Sequence, residues 1–223
     1  MNIDKQAPED AWRFLQSRLT ENRKRKMLQA AKERTNHIRL VLQDIHSPHN
    51  VSACMRSAEA FGVLNIDVVH LNQPFKPTVV AKGVSNWLRI TKHQSIESCA
   101  ETLHKSGYKI IAGMPTQNSS PLEELQIDQP LAILFGNEHL GVSDEWSPFI
   151  DQYFTIPMYG FVESLNISVS AAITMHQLTH KARHNLPASK YFLNEAERDH
   201  LLDEWVCKQF PTWEIELTAL RKR

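Results

Sequence analysis

The chain has 223 residues, with 25 basic and 25 acidic side chains, which is long enough to bury one hydrophobic core. Three widely separated cysteines, Cys54, Cys99 and Cys207, argue against a disulfide framework and fit a reducing compartment. No apolar stretch approaches the length that spans a bilayer, and the first residues lack the apolar core of a signal peptide, so we expect a cytoplasmic protein without a membrane partner.

The chain begins with a basic, amphipathic segment that predicts a helix over residues 8–35. Between residues 18 and 39, two acidic residues, Glu21 and Glu33, stand against eight basic ones: Arg18, Arg23, Lys24, Arg25, Lys26, Lys32, Arg34 and Arg39. A polyanion would therefore contact this end of the chain first, although a solvated helix face explains such a strip about as often.

Strand and helix patterns then alternate along the chain. The predicted strands are 38–45, 66–71, 108–114, 131–135 and 153–156, and the predicted helices are 50–62, 96–106 and a Ser/Ala-rich segment after Asn166. Repeated strand-then-helix units predict an α/β fold with a mostly parallel sheet and helices on both faces.

The alternation ends near residue 186, and residues 185–189 read as a linker before a helix over 195–205. A tail of this length is too short to fold alone, so it must pack on the core or on a second copy. We therefore predict a basic helical extension over 1–35, an α/β domain over 36–186 and a C-terminal extension over 187–223.

Several familiar chemical motifs are missing from the sequence. It contains no G-x-G-x-x-G after a strand, no Walker loop, no G-x-S-x-G elbow and no H-E-x-x-H. Dinucleotide-binding, P-loop, α/β-hydrolase and zincin functions are therefore disfavoured.

Two glycine-containing loops follow neighbouring predicted strands, one at Gly136 and Gly141 and one at Gly160. Ligands of α/β proteins bind beyond the carboxyl ends of strands, where glycine lets the backbone approach closely. The two loops could form one pocket, and its polar lining would be Glu138, Glu163, Ser164 and Asn166. A pair of ordinary turns and a helix cap is the competing interpretation.

The predicted helix 50–62 has Asn50 as its expected cap, and Arg56 lies opposite its apolar face. An outward arginine is usually plain surface, but it is also a preferred phosphate clamp. We interpret Cys54 as a packed core residue. His176, His180 and His184 form a stripe at helical spacing, yet no carboxylate completes a metal-ligand pattern, so no metal is expected.

Three segments together carry a resemblance to a known family. Asn50-Val51-Ser52-Ala53-x-x-Arg56, Phe135-Gly136-Asn137-Glu138-x-x-Gly141 and Ile156-Pro157-Met158-x-Gly160-x-x-x-Ser164-Leu165-Asn166-x-Ser168 resemble the three ordered motifs of the SpoU (TrmH) family of RNA 2'-O-methyltransferases. The resemblance covers about 36–184, and both terminal extensions are similar to those of the TrmH branch.

That resemblance implies an α/β core with a deep C-terminal trefoil knot, S-adenosylmethionine as methyl donor, and a homodimer with its active site shared between subunits. It assigns backbone contacts with the donor to Gly113, Ile156 and Leu165, and the shaping of the pocket to Gly136 and Gly160. Relatives often carry threonine where this chain has Gly113, a change that a backbone contact would tolerate.

The resemblance also makes Arg56 the catalytic base, reaching the pocket of the partner subunit. A guanidinium does not release its proton near neutral pH, so a clamp on the substrate phosphate is the conservative role. Asn50, Glu138, Ser164 and Asn166 would position the reacting groups, and Arg23, Lys24, Arg25 and Lys26 would bind RNA. The expected reaction is methylation of the ribose 2'-hydroxyl of a D-loop guanosine (position 18) in tRNA, with a ribosomal RNA methyltransferase or a catalytically silent RNA-binding module as alternatives.

Overall fold

The computed structural model describes residues 7–70, 83–210 and 212–221. The described chain divides into two compact units. One comprises residues 35–191, and the other combines the residues up to 34 with those from 192 onward.

The larger unit is built on a parallel sheet with strand order β3-β2-β1-β6-β4-β7-β5. Every neighbouring pair is parallel. The strands are β1 Thr35–Gln43, β2 Val63–Val69, β3 Arg89–His93, β4 Lys109–Gly113, β5 Ser120–Pro121, β6 Leu131–Phe135 and β7 Gln152–Thr155. All residues of β2 and β6 are buried, so both faces of the sheet centre are covered, as in α/β proteins. The predicted α/β class and mostly parallel sheet are confirmed.

The principal α-helices are distributed over both units. They are α1 Ala11–Leu15, α2 Glu21–Lys32, α3 Pro48–Ala60, α4 Ile96–Lys105, α5 Ile167–Asn185, α6 Ala188–Tyr191, α7 Glu195–Gln209 and α8 Trp213–Arg221. No helix in the described part of the chain is both long enough and apolar enough to cross a bilayer.

Helix α4 covers one face of the sheet with the apolar face that its sequence predicts. Its Cys99 and Leu103 pack in one buried cluster with Val41, Ala132 and Leu134 of the central strands. Just after α4, Gly107 has φ +79°, and Gly62 after α3 has φ +82°. Both helices therefore end where the sequence predicts, because glycine enters the left-handed region without a Cβ penalty.

Several predicted element boundaries are wrong. The helix expected over 8–35 is interrupted after α1 by a short 3₁₀ segment. A second helix, α2, begins after Thr20, and the Thr20 side chain caps it. Asn50 is not the cap of α3; Ser47 is, and Pro48 follows in the first turn. The sequence patterns also missed β3, β5, α8 and the 3₁₀ segment Asp144–Phe149, which are short or mixed in polarity.

A buried ion pair links three strands and their covering helix. The Asp67 carboxylate accepts from Arg39 Nε at 2.8 Å and lies 2.8 Å from His93 Nε2, with Cys99 nearby. Asp67, His93 and Cys99 make up the one cluster of potential metal ligands among the described residues. Because Arg39 already supplies the positive charge, we interpret the cluster as a structural ion pair.

The smaller unit joins the two ends of the chain. Helices α1 and α2 from the N-terminal end pack with α7 and α8 from the C-terminal end, around buried Leu15, Met27 and Trp205. The main-chain N–H of Trp12 donates to Asp203 Oδ1 at 2.7 Å. The sequence predicts that the tail packs on the core or on a second copy. The short helix Ala188–Tyr191 does pack on the larger unit, whereas the described residues from 192 onward pack on the N-terminal extension.

Candidate active site

A cavity of about 410 Å³ opens at the carboxyl ends of β4, β6 and β7. Three separate stretches of chain line it: the residues after β4, the loop after β6, and the segment between β7 and α5. Six of the predicted site residues lie in its wall, namely Gly113, Glu138, Ile156, Ser164, Leu165 and Asn166. Glu163, the fourth polar residue predicted for this pocket, lines it as well.

Glu138 connects the loop after β6 to the start of α3. Its Oε1 accepts from Asn50 Nδ2 at 2.8 Å and from the main-chain N–H of Ser47 at 3.2 Å, and its Oε2 accepts from the N–H of His46 at 3.0 Å. Partial burial opposes ionisation, but the hydrogen bonds outweigh it, so the pKa of Glu138 is lowered from its usual value. The side chain is therefore a carboxylate at neutral pH.

Asn50 links Glu138 to the start of α5 through a second hydrogen bond. Since its amide nitrogen donates to Glu138, its Oδ1 faces Asn166, whose Nδ2 donates to it at 3.3 Å. Asn166 caps α5, with Oδ1 accepting from the N–H of Ser168 at 2.8 Å. One chain of hydrogen bonds thus joins residues from all three of the sequence motifs.

The turn after β6 has no room for a side chain at Gly136. A Cβ there would lie 2.1 Å from the main-chain oxygen of Gly141, so only glycine allows this turn. Asn137 closes the turn, since it exchanges main-chain hydrogen bonds with Gly141 and its Nδ2 donates to the Asp44 carbonyl at 2.8 Å. Sequence reasoning missed Asn137, although its place inside the second motif was the available signal.

Gly113 lies beside an aromatic wall that the sequence did not predict. A Cβ at this position would approach Phe135 Cε1 to 2.7 Å, and the Phe135 and Phe154 rings meet edge to face at 6.2 Å. Both rings line the cavity. A threonine at position 113 would displace the Phe135 ring, so the observed position of Phe135 depends on glycine at position 113.

Four predicted site residues lie outside the cavity wall. Gly136 is at the base of its turn, and Gly160 has open space around it in the exposed loop before α5. Asn50 reaches the cavity only through Glu138 and Asn166. Arg56 is exposed on α3, and no hydrogen bond to its side chain is seen within the described residues. In one copy of the chain, Arg56 is therefore not part of the cavity.

The four predicted RNA-binding residues follow one another on α2 in the smaller unit. Arg23, Arg25 and Lys26 are exposed and Lys24 is half-buried. Arg23 Nη2 donates to Gln209 at 2.6 Å, and Arg25 Nη2 donates to Asn22 at 3.0 Å. The strip is thus a solvent-facing helix surface in which one arginine is held by α7.

The larger unit is a parallel α/β scaffold with a ligand cavity at the carboxyl ends of its strands, the usual ligand position in this class of protein. The chain belongs to the SpoU rRNA methylase family, whose model matches residues 37–176. The match spans all three motifs and every residue that lines the cavity.

Relatives and solved structures agree with this membership. A tRNA (guanosine(18)-2'-O)-methyltransferase of Borreliella burgdorferi is 35% identical over 82% of this chain and 84% of its own. The crystal structure of the A. aeolicus TrmH/SpoU tRNA modifying enzyme superposes with a TM-score of 0.77 at 26% identity, over 85% of this chain and 97% of that one. The SpoU methyltransferase AviRb from Streptomyces viridochromogenes, in complex with AdoMet, shares the fold with a TM-score of 0.58 at 23% identity, over 72% and 63%.

Proposed function

We propose that this protein methylates the ribose 2'-hydroxyl of guanosine 18 in tRNA, with S-adenosylmethionine as the methyl donor. The observation that carries the proposal is that the second and third motifs line one cavity and that hydrogen bonds from Asn50 join the first motif to both, in a chain that matches a guanosine-18 methyltransferase over most of its length. A fold alone would not identify the reaction, because the same scaffold supports many chemistries.

The cavity suits the methyl donor. Its aromatic residues Phe135 and Phe154 offer a surface for the flat face of the donor's adenine ring, and Gly113 lets the backbone approach the ligand. Backbone groups at Ile156 and Leu165, which also line the cavity, would hold the polar parts of the donor. When bound, the donor supplies an electrophilic methyl group on a sulfonium centre.

The polar residues would prepare the 2'-hydroxyl for attack. Ser164 and Asn166 lie in the cavity wall, where they can orient a ribose, and Glu138 with Asn50 fixes the loops that carry them. A guanidinium is a poor base, so we assign Arg56 to the substrate phosphate. Its charge there would stabilise the alkoxide that develops as the 2'-hydroxyl loses its proton to solvent and takes the methyl group, while the donor leaves as the neutral thioether.

This role for Arg56 requires a second copy of the chain. Arg56 is exposed and absent from the cavity wall of its own copy, and the segment between β7 and α5, part of which lines the cavity, carries a patch of exposed apolar side chains at Tyr159, Phe161 and Val162. A patch of this kind is typical of a protein interface. We therefore propose a homodimer in which each subunit supplies Arg56 to its partner, and a trefoil knot around the loops that hold the donor.

The tRNA would be held by both units. We propose 1–35 as an RNA-binding extension acting through Arg23, Lys24, Arg25 and Lys26, 36–186 as the methyltransferase domain and 187–223 as a supporting extension. Contacts from the basic strip would be mainly to phosphates, which fix position without reading sequence. The cytoplasm is the corresponding compartment, since tRNA is processed there.

The direct test is to incubate the protein with tRNA transcripts and labelled S-adenosylmethionine and then map the methylated nucleotide. We expect label at guanosine 18, lost in the Arg56→Ala variant. Label confined to ribosomal RNA would favour the substrate that the family description names and would contradict the tRNA proposal. A protein that binds no donor in calorimetry and methylates neither RNA would be the catalytically silent module.

A further inference from the structure

A second cavity adjoins the first. It measures about 340 Å³ and opens where β1 and β6 end, and we call it the base cavity. Its lining includes Asp44, His46, Leu140 and Glu145. Asn137 and Gly141 line both cavities, so a single turn of the chain separates them.

That separation matches the construction of a nucleotide. The base is bonded to the ribose carbon next to the one that carries the 2'-oxygen. A ribose that presents its 2'-hydroxyl to the first cavity must therefore place its base in an adjoining space. Enzymes that act within RNA loops read bases that have left the stack, by contacts to their Watson–Crick edges. The base cavity is an adjoining concave surface of this kind.

The chemistry of the base cavity's lining suits guanine better than adenine. Leu140 and Val142 supply apolar surface, and three carboxylates, those of Asp44, Asp144 and Glu145, line the cavity. Of these, Asp44 has its backbone tied to the residues that follow β6, and its carboxylate has lone pairs to accept hydrogen bonds from a ligand beside its contact with His70. The Watson–Crick edge of guanine presents two neighbouring donors, N1–H and N2–H, which a carboxylate can accept together. Adenine instead presents an acceptor at N1, which would face the negative charge.

We propose that the base cavity binds the guanine of the methylated nucleotide and that Asp44 determines the preference for guanine. The inference rests on the proposed function and deepens it, since it names the residue that reads the base.

The backbone of Asp44 is fixed on both sides. Its N–H donates to the Val69 carbonyl at 2.9 Å, and its own carbonyl accepts from Asn137 Nδ2 at 2.8 Å. The carboxylate, 11% exposed, has Oδ1 3.8 Å from His70 Nδ1. Asp44 has φ +46°, a conformation that asparagine also adopts readily, so Asp44→Asn changes the hydrogen-bonding edge without disturbing the turn.

The test compares tRNA transcripts that carry guanosine or adenosine at the methylated position. For Asp44→Asn we expect kcat/KM with guanosine to fall about 10- to 100-fold, because one neutral amide replaces a two-acceptor carboxylate. The ratio of adenosine to guanosine activity should rise, since an amide can accept from adenine N6–H and donate to N1. Asp128→Asn, an exposed carboxylate that precedes β6 instead of following it, is the matched control and should leave both values unchanged.

Binding of S-adenosylmethionine, measured by calorimetry, separates the possible failures. An unchanged purine preference in an Asp44→Asn variant that still binds the donor would overturn the proposal that Asp44 reads the base in this cavity. A wild-type protein that binds the donor but methylates no guanosine would overturn the proposed function instead.

If Asp44→Asn loses donor binding, Leu140→Trp replaces it as the variant. Leu140 is 86% exposed, so the larger side chain narrows the base cavity without entering the core. We expect a loss of kcat/KM of at least tenfold with donor affinity retained. Full activity of Leu140→Trp would show that no base enters this cavity.

Discussion

At the scale of single residues, the candidate site depends on Glu138. Three donors converge on its two oxygens: the N–H groups of His46 and Ser47 and the Nδ2 of Asn50. Glutamine has the same shape but only one oxygen, so its amide hydrogens would face at least one of these donors. We expect Glu138→Gln to lower kcat about 10- to 100-fold, the effect of losing one or two hydrogen bonds to a charged group.

The measurement is a kcat and KM comparison with tRNA, together with calorimetry of donor binding. A positioning role predicts a larger loss in kcat than in donor affinity, because Glu138 acts through Asn50 and Asn166. Glu124→Gln, on an exposed 3₁₀ turn, is the control for loss of a surface charge. Wild-type kcat in Glu138→Gln would show that the three loops keep their arrangement without this carboxylate.

The hydrogen-bond network also shows which features of the candidate site could be predicted from single residues of the sequence. The motifs indicated Glu138, Ser164 and Asn166, and all three line the same cavity in the structure. They could not indicate that Asn50 binds Glu138, which is 88 residues away in the chain. Local pattern therefore assigned Asn50 to a helix cap, a role that Ser47 fills. Phe135 and Phe154 were missed for a related reason, since buried strand residues look the same whether or not they border a cavity.

At the scale of elements, the basic surface of α2 leads to a prediction about RNA binding. Its exposed residues include Arg23, Arg25 and Lys26, and neutralised phosphates make RNA affinity dependent on salt. We expect reversal of Arg25 and Lys26 to glutamate to weaken tRNA binding and to reduce the slope of log affinity against log salt by about 1 for each phosphate that is no longer neutralised. Leaving Arg23 unchanged preserves its bond to Gln209.

Filter binding at several salt concentrations gives the slope, and donor calorimetry checks that the larger unit is intact. Reversal of Lys105 and Lys109, which are exposed on the larger unit, is the matched control for net charge. Unchanged tRNA affinity in the Arg25 and Lys26 variant would mean that the strip is only a solvated helix face.

The elements also differ in how well their sequences specify them. Strand β6 has the predicted bounds because five consecutive apolar residues are buried from both sides, which is a strong local signal. Strand β3, Arg89–His93, has no such signal, since its side chains at the sheet edge are partly exposed and polar. Its place is set by pairing with β2, which is a tertiary contact.

At the scale of the whole molecule, the two ends of the chain form one unit around Leu15, Met27 and Trp205. The sequence described both extensions as helical but gave no indication that they are partners. Pairing between segments separated by the whole larger unit depends on long-range contacts, which periodicity does not encode. The proposed dimer also depends on contacts that periodicity does not encode, because those contacts form between copies of the chain.

A dimer with a shared site makes a prediction about mixed subunits. Arg56→Ala should leave a subunit with an intact cavity but no arginine to donate, and Asn166→Ala should leave one with the arginine but a damaged cavity. Either variant alone should be inactive as a homodimer. Combined in one heterodimer, the cavity of the first subunit receives Arg56 from the second, while the other site lacks both groups.

The heterodimer should therefore recover about half of the wild-type activity per dimer, because one of two equivalent sites is restored. Co-expression with two different affinity tags, followed by purification on both, isolates it for a tRNA methylation assay. The control is a heterodimer of Arg56→Ala with a subunit that carries both substitutions, which has no intact site and should be inactive. If Arg56 served the cavity of its own subunit, the mixed dimer would be as inactive as its parents, because each subunit would lack one of the groups that its own site requires.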